Sequence, residues 1–188
     1  MMESTPSAAV AIVHAEAPEA SVLMMRRAVR VGDPWSGHWA FPGGRREAAD
    51  ADLLDTALRE LSEECGIRLG REQMTERLGD DWAGRAVGHF VMVAPFVFRI
   101  PEQIPVTLDV GEAAEAVWMP MTVLLDLSRH LVRAIPGVAG ERQFPAFDLG
   151  GTPVWGFTYR VLCQWAGVPV AEEGLMVRES ADNKESQG

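Results

Sequence analysis

The pattern of apolar and polar positions divides the chain into strands, one dominant helix and a second helical stretch near its end. Residues 7–14 (SAAVAIVH) are apolar and β-branched enough for a buried strand. Residues 21–25 (SVLMM) make a second, after a turn at Pro18. Between positions 26 and 39, Gly32, Asp33, Pro34, Ser36 and Gly37 crowd a short span, which predicts a loop too long for a mere connection. Residues 40–44 (AFPGG) read as a strand end running into a glycine-rich turn. The strongest helix follows over 52–65, with Gly66 as its stop because a residue just past a helix end favours positive φ. Residues 84–100 are rich in Val and Phe and predict one or two strands, and residues 116–119 another. Helical spacing recurs over 121–130 and 157–165, while 142–149 and 152–155 suggest a hairpin closed by Gly150 and Gly151. This order of elements predicts an α/β (α+β) sandwich with helices packed on a mixed β-sheet, one domain over 1–170. The polar, aperiodic segment 171–188 reads as a disordered tail.

Composition narrows the picture. A chain of 188 residues with 47% hydrophobic and 23% charged residues supports one core without disulfides or a structural metal. Its longest apolar segment, near 90–98, is interrupted by Pro95, so no membrane span is expected. No basic residue precedes the first short apolar run, which is wrong for a secretory signal and gives a cytoplasmic expectation. Cys65 and Cys163 fall in helical segments and read as buried small hydrophobes rather than a disulfide framework. The net charge of −10 argues against nucleic acid or an anionic membrane as partner. Lys184 is the sole lysine, and Arg26, Arg27, Arg30, Arg45 and Arg46 cluster within a short, glycine-rich stretch.

Placed at 100° per residue, the helix over 52–65 separates into two faces. Leu54, Ala57, Leu58, Leu61 and Cys65 form an apolar stripe, while Glu60, Glu63 and Glu64 stack at i, i+3 and i+4 on another arc. Three carboxylates so placed repel one another unless a cation lies among them. Carboxylates are the ligands that hard divalent ions take, and Gly43 and Gly44 permit close backbone approach and a carbonyl ligand. The plainer alternative is a solvated acidic face. Guanidinium groups suit phosphate oxygens bidentately, so the arginine cluster is a candidate diphosphate site, with surface pairing to Asp33, Glu47 and other acids as its alternative. Trp35 and Trp39 are candidates for stacking on a base or for packing, and His38 for acid–base work or a structural role.

Residues 59–67 (RELSEECGI) match, position by position, the R-E-U-x-E-E-x-G-U half of the Nudix box, where U is bulky and apolar, and the chain is identified by it as resembling the Nudix hydrolases. The upstream half, G-x5-E with seven spacer residues, departs from the pattern. After Gly44 and five intervening residues comes Asp50, and eight residues separate Asp50 from Arg59. Either Asp50 takes the glutamate's place, or the role passes to Glu47 or is lost. The extra residue, with Phe41, Pro42, Gly43 and Gly44, resembles the coenzyme A diphosphatase subgroup. That subgroup also carries an L-L-T-x-R-S element, partly matched here by residues 23–28 (LMMRRA), and residues 155–159 (WGFTY) resemble the start of its last helix.

The resemblance implies an α/β/α sandwich with the box as a loop, helix, loop on one side. It implies Mg²⁺, with Mn²⁺ as a substitute, held by Glu60, Glu63, Glu64 and the Gly44 carbonyl. Glu63, Glu60 and Arg59 become the expected catalytic residues. Glu63 is the first choice of general base, with Glu112 or Glu115 as outside candidates. Arg26, Arg27, Arg30, Arg45 and Arg46 become expected substrate ligands. The expected substrate is coenzyme A or an acyl-CoA, with ADP-ribose, NADH or a nucleoside triphosphate as alternatives, and a non-catalytic nucleotide-binding module as the competing class. Homodimerisation, common in such proteins, is a further expectation.

Overall fold

The computed structural model describes residues 5–33, 35–138 and 142–172. The predicted disorder of the tail falls almost wholly on 173–188, outside the described residues. Strand β1 (Ala8–Ala17) runs parallel to β7 (Val91–Glu102), from Ala8 opposite Val93 to Ala17 opposite Glu102. β2 (Ser21–Arg27) returns antiparallel but pairs with β1 only at His14 with Val22 and Ala15 with Ser21. Beyond that the two strands part, and the chain fills the fork itself. β3 (Trp39–Ala40) pairs with β2, and β4 (Gly43–Arg45) pairs with β1 at Ala8, Ala9 and Val10. β8 (Ala113–Pro120) lies antiparallel on β2. β5 (Met74–Arg77) and β6 (Asp81–Ala83) share the outer edge of β7. β9 (Leu131–Ala134), β10 (Gln143–Leu149) and β11 (Thr152–Trp155) form a second, antiparallel sheet.

Strand alternation sends the two faces of the main sheet to different helices. On one face Ala9, Ala11, Val13 and Ala15 of β1 meet Leu54, Ala57, Leu61 and Cys65 of α1 (Leu53–Cys65). On the other, Ile12 with Val22 and Met24 meets Tyr159, Val161, Leu162 and Cys163 of α3 (Gly156–Ala166). The result is the expected α/β/α sandwich. α1 starts and stops where the sequence predicts: the Asp52 side chain accepts the Asp55 N–H, and Gly66, at φ 67°, donates its N–H to the Ser62 carbonyl. Both cysteines are buried thiols, as expected.

Pro95 sits inside β7, where a missing N–H would ordinarily break a ladder. Its carbonyl accepts the Leu78 N–H at 3.0 Å on the outer edge, where β6 stops at Val93 and β5 begins at Phe96. The proline therefore falls at a gap between two short strands, and the ladder with β1 continues past it.

Several expectations are corrected. Residues 121–130 form only a short helix, α2 (Met121–Leu125), because the Asp126 side chain accepts the Ser128 N–H and starts a 3-10 turn over Leu127–Arg129. The predicted loop over 26–39 begins later, since β2 continues to Arg27. The strand end expected at Ala40 is present, but the glycine-rich turn expected after it is itself a strand at Gly43–Arg45, because Gly43 and Gly44 pair with β1. The strand predicted over 84–100 starts only at Val91, after a turn in which Gly84 and Gly88 adopt positive φ. Among the described residues no helix is long and apolar enough to cross a membrane.

Candidate active site

The fork between β1 and β2 sets the site, because it forces β4 against both β1 and the carboxylate side of α1. Gly43 has no room for a side chain: a Cβ there would collide with the Ala9 carbonyl and come within 2.7 Å of Val10 Cα. Its N–H donates to Glu64 Oε2 at 2.8 Å, tying the strand to the helix. At Gly44 a Cβ would strike the Glu60 carboxylate. The two glycines thus let the backbone reach the glutamates.

The two obstructions differ in kind, and two substitutions separate them. Gly43→Ala meets backbone, which cannot swing aside, so a loss of about 1–3 kcal/mol is expected. Gly44→Ala meets the end of a flexible side chain. Its melting temperature should stay near that of the unaltered protein while displacement of Glu60 lowers any activity at the site. Thermal melts of both variants check this, and a Gly43→Ala protein as stable as its parent would refute it.

The glutamate triplet, one arc in the sequence, is sorted by depth. Glu64 is 2% exposed. The side chains of Glu60 and Glu63 are 13% and 58% exposed. Burial pushes the Glu64 carboxyl up to about 8 against the opposing Gly43 N–H, with the charges of Glu60 and Glu112 adding to the rise. Burial also raises Glu60. Among the described residues Glu64 has no ion-pair partner, whereas Glu60 has Arg59.

Arg59 is the pivot of the other half. Its Nε and Nη2 reach Asp50 Oδ1 and Oδ2 at 3.0 and 3.1 Å, and Nη2 also donates to the Arg45 carbonyl at 3.1 Å. Its Nη1 donates to Glu60 Oε1 and to Glu63 Oε2, each at 2.9 Å. Asp50 is buried and also accepts the Thr56 hydroxyl at 2.9 Å and the Glu47 N–H at 2.8 Å. The guanidinium holds its carboxyl well below the usual range. Glu47 lies 3.8 Å from Arg59 and is largely exposed, so Asp50, not Glu47, carries the pairing.

The donor set of three carboxylates and a glycine carbonyl suits a hard divalent ion by chemistry, and the electrostatics point the same way. Among the described residues, however, no three His, Cys, Asp or Glu side chains form a ready coordination cage. Glu60 and Glu63 are drawn to Arg59 instead.

On the far side of the glycine turn lies a cleft of about 510 Å³, lined by Gly43, Gly44, Arg45 and a wall of aromatic and basic residues. Of the expected arginines, only Arg27 and Arg45 line it. Arg26 pairs with Glu115 at 3.0 Å. Arg30 reaches the Gly111 carbonyl and lies 3.7 Å from Glu112. Arg46 donates to the carbonyls of Asp50 and Ala51 and so braces the loop ahead of α1. Arg27 itself pairs with Asp33 at 3.1 Å. Trp35 and His38 line the cleft, and burial lowers the His38 pKa. Trp39 is buried and donates its indole N–H to the Leu149 carbonyl at 3.0 Å, a packing role foremost. Trp82, Arg85, Arg142, Phe144 and Arg160 complete the wall from separate segments that no local motif signals, and Thr158 joins them from the 155–159 (WGFTY) stretch.

Comparison with known proteins identifies the family. The family model described as NUDIX domain matches residues 5–137. An uncharacterised protein of Schizosaccharomyces pombe, C14C4.10c, is 36% identical over 134 residues, covering 61% of this chain and 39% of that protein. The uncharacterised Nudix hydrolase NudL of Salmonella paratyphi B is 33% identical over 123 residues, covering 65% of this chain and 62% of NudL. The chain therefore matches less than two thirds of the length of either relative. In fold it is similar to a Nudix hydrolase from Alicyclobacillus acidocaldarius, with a TM-score of 0.61, 19% identity, and coverage of 91% and 95%. With the family model spanning most of the chain and the glycine turn, Arg59 and the glutamate triplet joined in one site, this protein belongs to the Nudix family.

Proposed function

We propose that this protein is a Mg²⁺-dependent hydrolase of a nucleoside diphosphate linked to another moiety, with coenzyme A or an acyl-CoA as the substrate. The observation that carries the reading is the glycine turn, which presents the Glu60 and Glu64 carboxylates on one side and an arginine- and aromatic-lined cleft on the other. Glu60, Glu63, Glu64 and the Gly44 carbonyl are the residues that would hold the metal. Bound there, Mg²⁺ would supply charge neutralisation to a diphosphate and a lowered pKa to a bound water. Arg59, anchored by Asp50, holds Glu60 and Glu63 together and keeps their charge in place. Glu63, the most exposed of the three, takes the proton from the attacking water. Glu112, whose charge bears on both Glu60 and Glu64, is the alternative acceptor, and Glu115 is occupied by Arg26. Water adds to one phosphorus, the bridging P–O bond breaks, and two phosphate monoesters leave. The coenzyme A assignment is supported by the FPGG turn and by the combination of guanidinium and aromatic groups in the cleft.

A product assay with Mg²⁺ over coenzyme A, acetyl-CoA, ADP-ribose, NADH and deoxynucleoside triphosphates tests this. Adenosine 3′,5′-bisphosphate and phosphopantetheine should appear from coenzyme A. Cleavage of ADP-ribose or NADH alone would keep the reaction and replace the substrate, whereas binding without any cleavage would leave a nucleotide-binding module.

A further inference from the structure

His38 is fixed in the cleft by its backbone, not by its ring. Its N–H donates to the Trp35 carbonyl at 3.1 Å, and its carbonyl accepts the Arg27 N–H of β2 at 3.0 Å. The next residue, Trp39, is buried and held by its indole N–H on the Leu149 carbonyl. From this root the half-buried imidazole lines the cleft and meets Trp155 of β11 edge-on, with ring centres 5.1 Å apart at 85°. Its hydrogen-bonding capacity is unspent. The buried His130 uses both ring nitrogens, Nδ1 lying 2.9 Å from the Tyr159 hydroxyl and Nε2 2.8 Å from the Leu124 carbonyl. Among the described residues the His38 ring has no such partner, and the sealed polar side-chain atom that lacks one is Arg26 Nε, so the His38 nitrogens are open to solvent.

The charges that bear on this ring are Asp33 of its own loop and Arg27 of β2, which pair with each other at 3.1 Å. β11 presents the Trp155 ring, and the remaining charged residues on the cleft are Arg45, Arg85, Arg142 and Arg160. Burial lowers the His38 pKa, while Asp33 raises it and Arg27 lowers it further, so near neutral pH the empty cleft holds a neutral imidazole. Although the chain has a net charge of −10, the described residues lining the cleft include five arginines and no Asp or Glu. An anion that enters therefore supplies the negative charge the wall lacks, and with it the attraction that favours imidazolium. Arg27 links this wall to the glutamates, since its charge bears on Glu64 as well as on His38.

We infer that His38 is a ligand-binding residue of this cleft: neutral while the cleft is empty, its imidazole takes a proton as a nucleoside diphosphate enters and donates an N–H to a phosphate oxygen. The inference rests on the reading of this cleft as the substrate site and deepens it. The proton comes from solvent and returns there on release, and no covalent bond of the ligand changes. Capture of the anion is thereby tied to pH. The affinity rises as pH falls, because the protonated ring that the bound anion favours becomes easier to form.

Calorimetric titration of the full chain without metal, with ADP-ribose and with adenosine, reads this event apart from turnover. Each phosphorus of ADP-ribose carries one acidic oxygen that stays ionised near neutral pH, so a proton taken up on binding belongs to the protein. From pH 7 to pH 5.5, below the Glu64 carboxyl at about 8, the affinity for ADP-ribose should rise about fivefold. The binding heat should also vary with the ionisation enthalpy of the buffer, as proton uptake requires. Adenosine, which is uncharged, should show neither effect. His38→Gln should abolish the uptake and hold the ADP-ribose affinity within about twofold across the window, while Glu64→Gln should keep both effects. A merely structural His38 would alter the two ligands alike. Should glutamine not be tolerated beside Trp155, NMR titration of the histidine rings in the unaltered protein reads the same proton, and the His38 ring should titrate at higher pH with ADP-ribose than without. No uptake in the unaltered protein, uptake undiminished in His38→Gln, or failure of ADP-ribose to bind at any of these pH values would overturn the inference. Uptake in a protein that cleaves no diphosphate with Mg²⁺ would uphold His38 and remove the proposed reaction, whereas cleavage without uptake would remove His38 alone.

Discussion

Glu64→Gln is expected to lower metal-dependent kcat/KM by about 10³-fold, the scale on which losing one preorganised charge-stabilising group acts. It should do so without destabilising the metal-free protein. Burial pushes the Glu64 carboxyl up to about 8, so near neutral pH the metal-free side chain is largely the uncharged acid, which an amide copies in shape. The Gly43 N–H, which donates to Oε2, can donate equally to an amide oxygen. The sign of the pH dependence follows. A carboxyl raised in the folded state imposes no penalty below its unfolded value near 4.5, and stability falls as pH rises from there toward about 8. The unaltered metal-free protein should therefore lose melting temperature across that window, and Glu64→Gln should flatten the loss. A divalent ion reverses the balance by favouring the carboxylate, so Mg²⁺ should raise the melting temperature of the unaltered protein and not that of the variant. Thermal melts from pH 5 to 9, with and without Mg²⁺, beside the product assay, would decide. A variant that kept both turnover and Mg²⁺ stabilisation would sink the assignment.

What the sequence discloses depends on how local its cause is. α1 is legible to the residue because its signals are chain neighbours: an Asp that caps, a 3.6-residue apolar stripe, a Gly at positive φ. The same periodicity places Glu60, Glu63 and Glu64 on one arc but not their depth, which depends on how β4 closes over the helix. β5 (MTER), β6 (DWA) and β9 (LVRA) are short and polar or exposed, and tertiary pairing alone makes them strands. α2 stops early for a local reason, since Asp126 with Ser128 is an Asx-type turn signal. The arginine cluster shows the converse error. Adjacency in sequence suggested one phosphate site, yet Arg26, Arg30 and Arg46 turn to Glu115, to Gly111 with Glu112, and to the carbonyls before α1. Arg85 and Arg142, remote in sequence, line the same cleft.

Asp50→Ala is expected to cost about 3 kcal/mol, the lower end of the range for breaking a buried ion pair. The lower end applies because Arg59 would retain Glu60 and Glu63 on Nη1. The loss has three parts. The bidentate pair to Arg59 disappears, the buried Thr56 hydroxyl loses its closest acceptor, and the Glu47 N–H loses the carboxylate that closes the loop before the Asp52 cap. Glu47 cannot step in, being 3.8 Å away and largely exposed. The pair's contribution also has a definite pH signature. Asp50 is held well below the ordinary carboxylate range chiefly by Arg59, so its stabilisation is fully present above the unfolded value of about 3.9 and is lost as pH falls below it. The deficit of Asp50→Ala should thus be constant from pH 5 to 8 and shrink toward pH 2, opposite in direction to the effect of Glu64. Urea unfolding at pH 7 and pH 2.5 measures both, with an unchanged m-value marking a true stability loss. Asp50→Glu, by lengthening the arm in a buried pocket, should recover the charge but not the geometry. Its activity should fall with Arg59 displaced from Glu60 and Glu63, even where its stability exceeds that of Asp50→Ala. A loss under about 1 kcal/mol for the alanine variant, the value of an ordinary exposed ion pair, would mean that Asp50 is not the anchor of Arg59 and that the inserted residue has moved the role elsewhere.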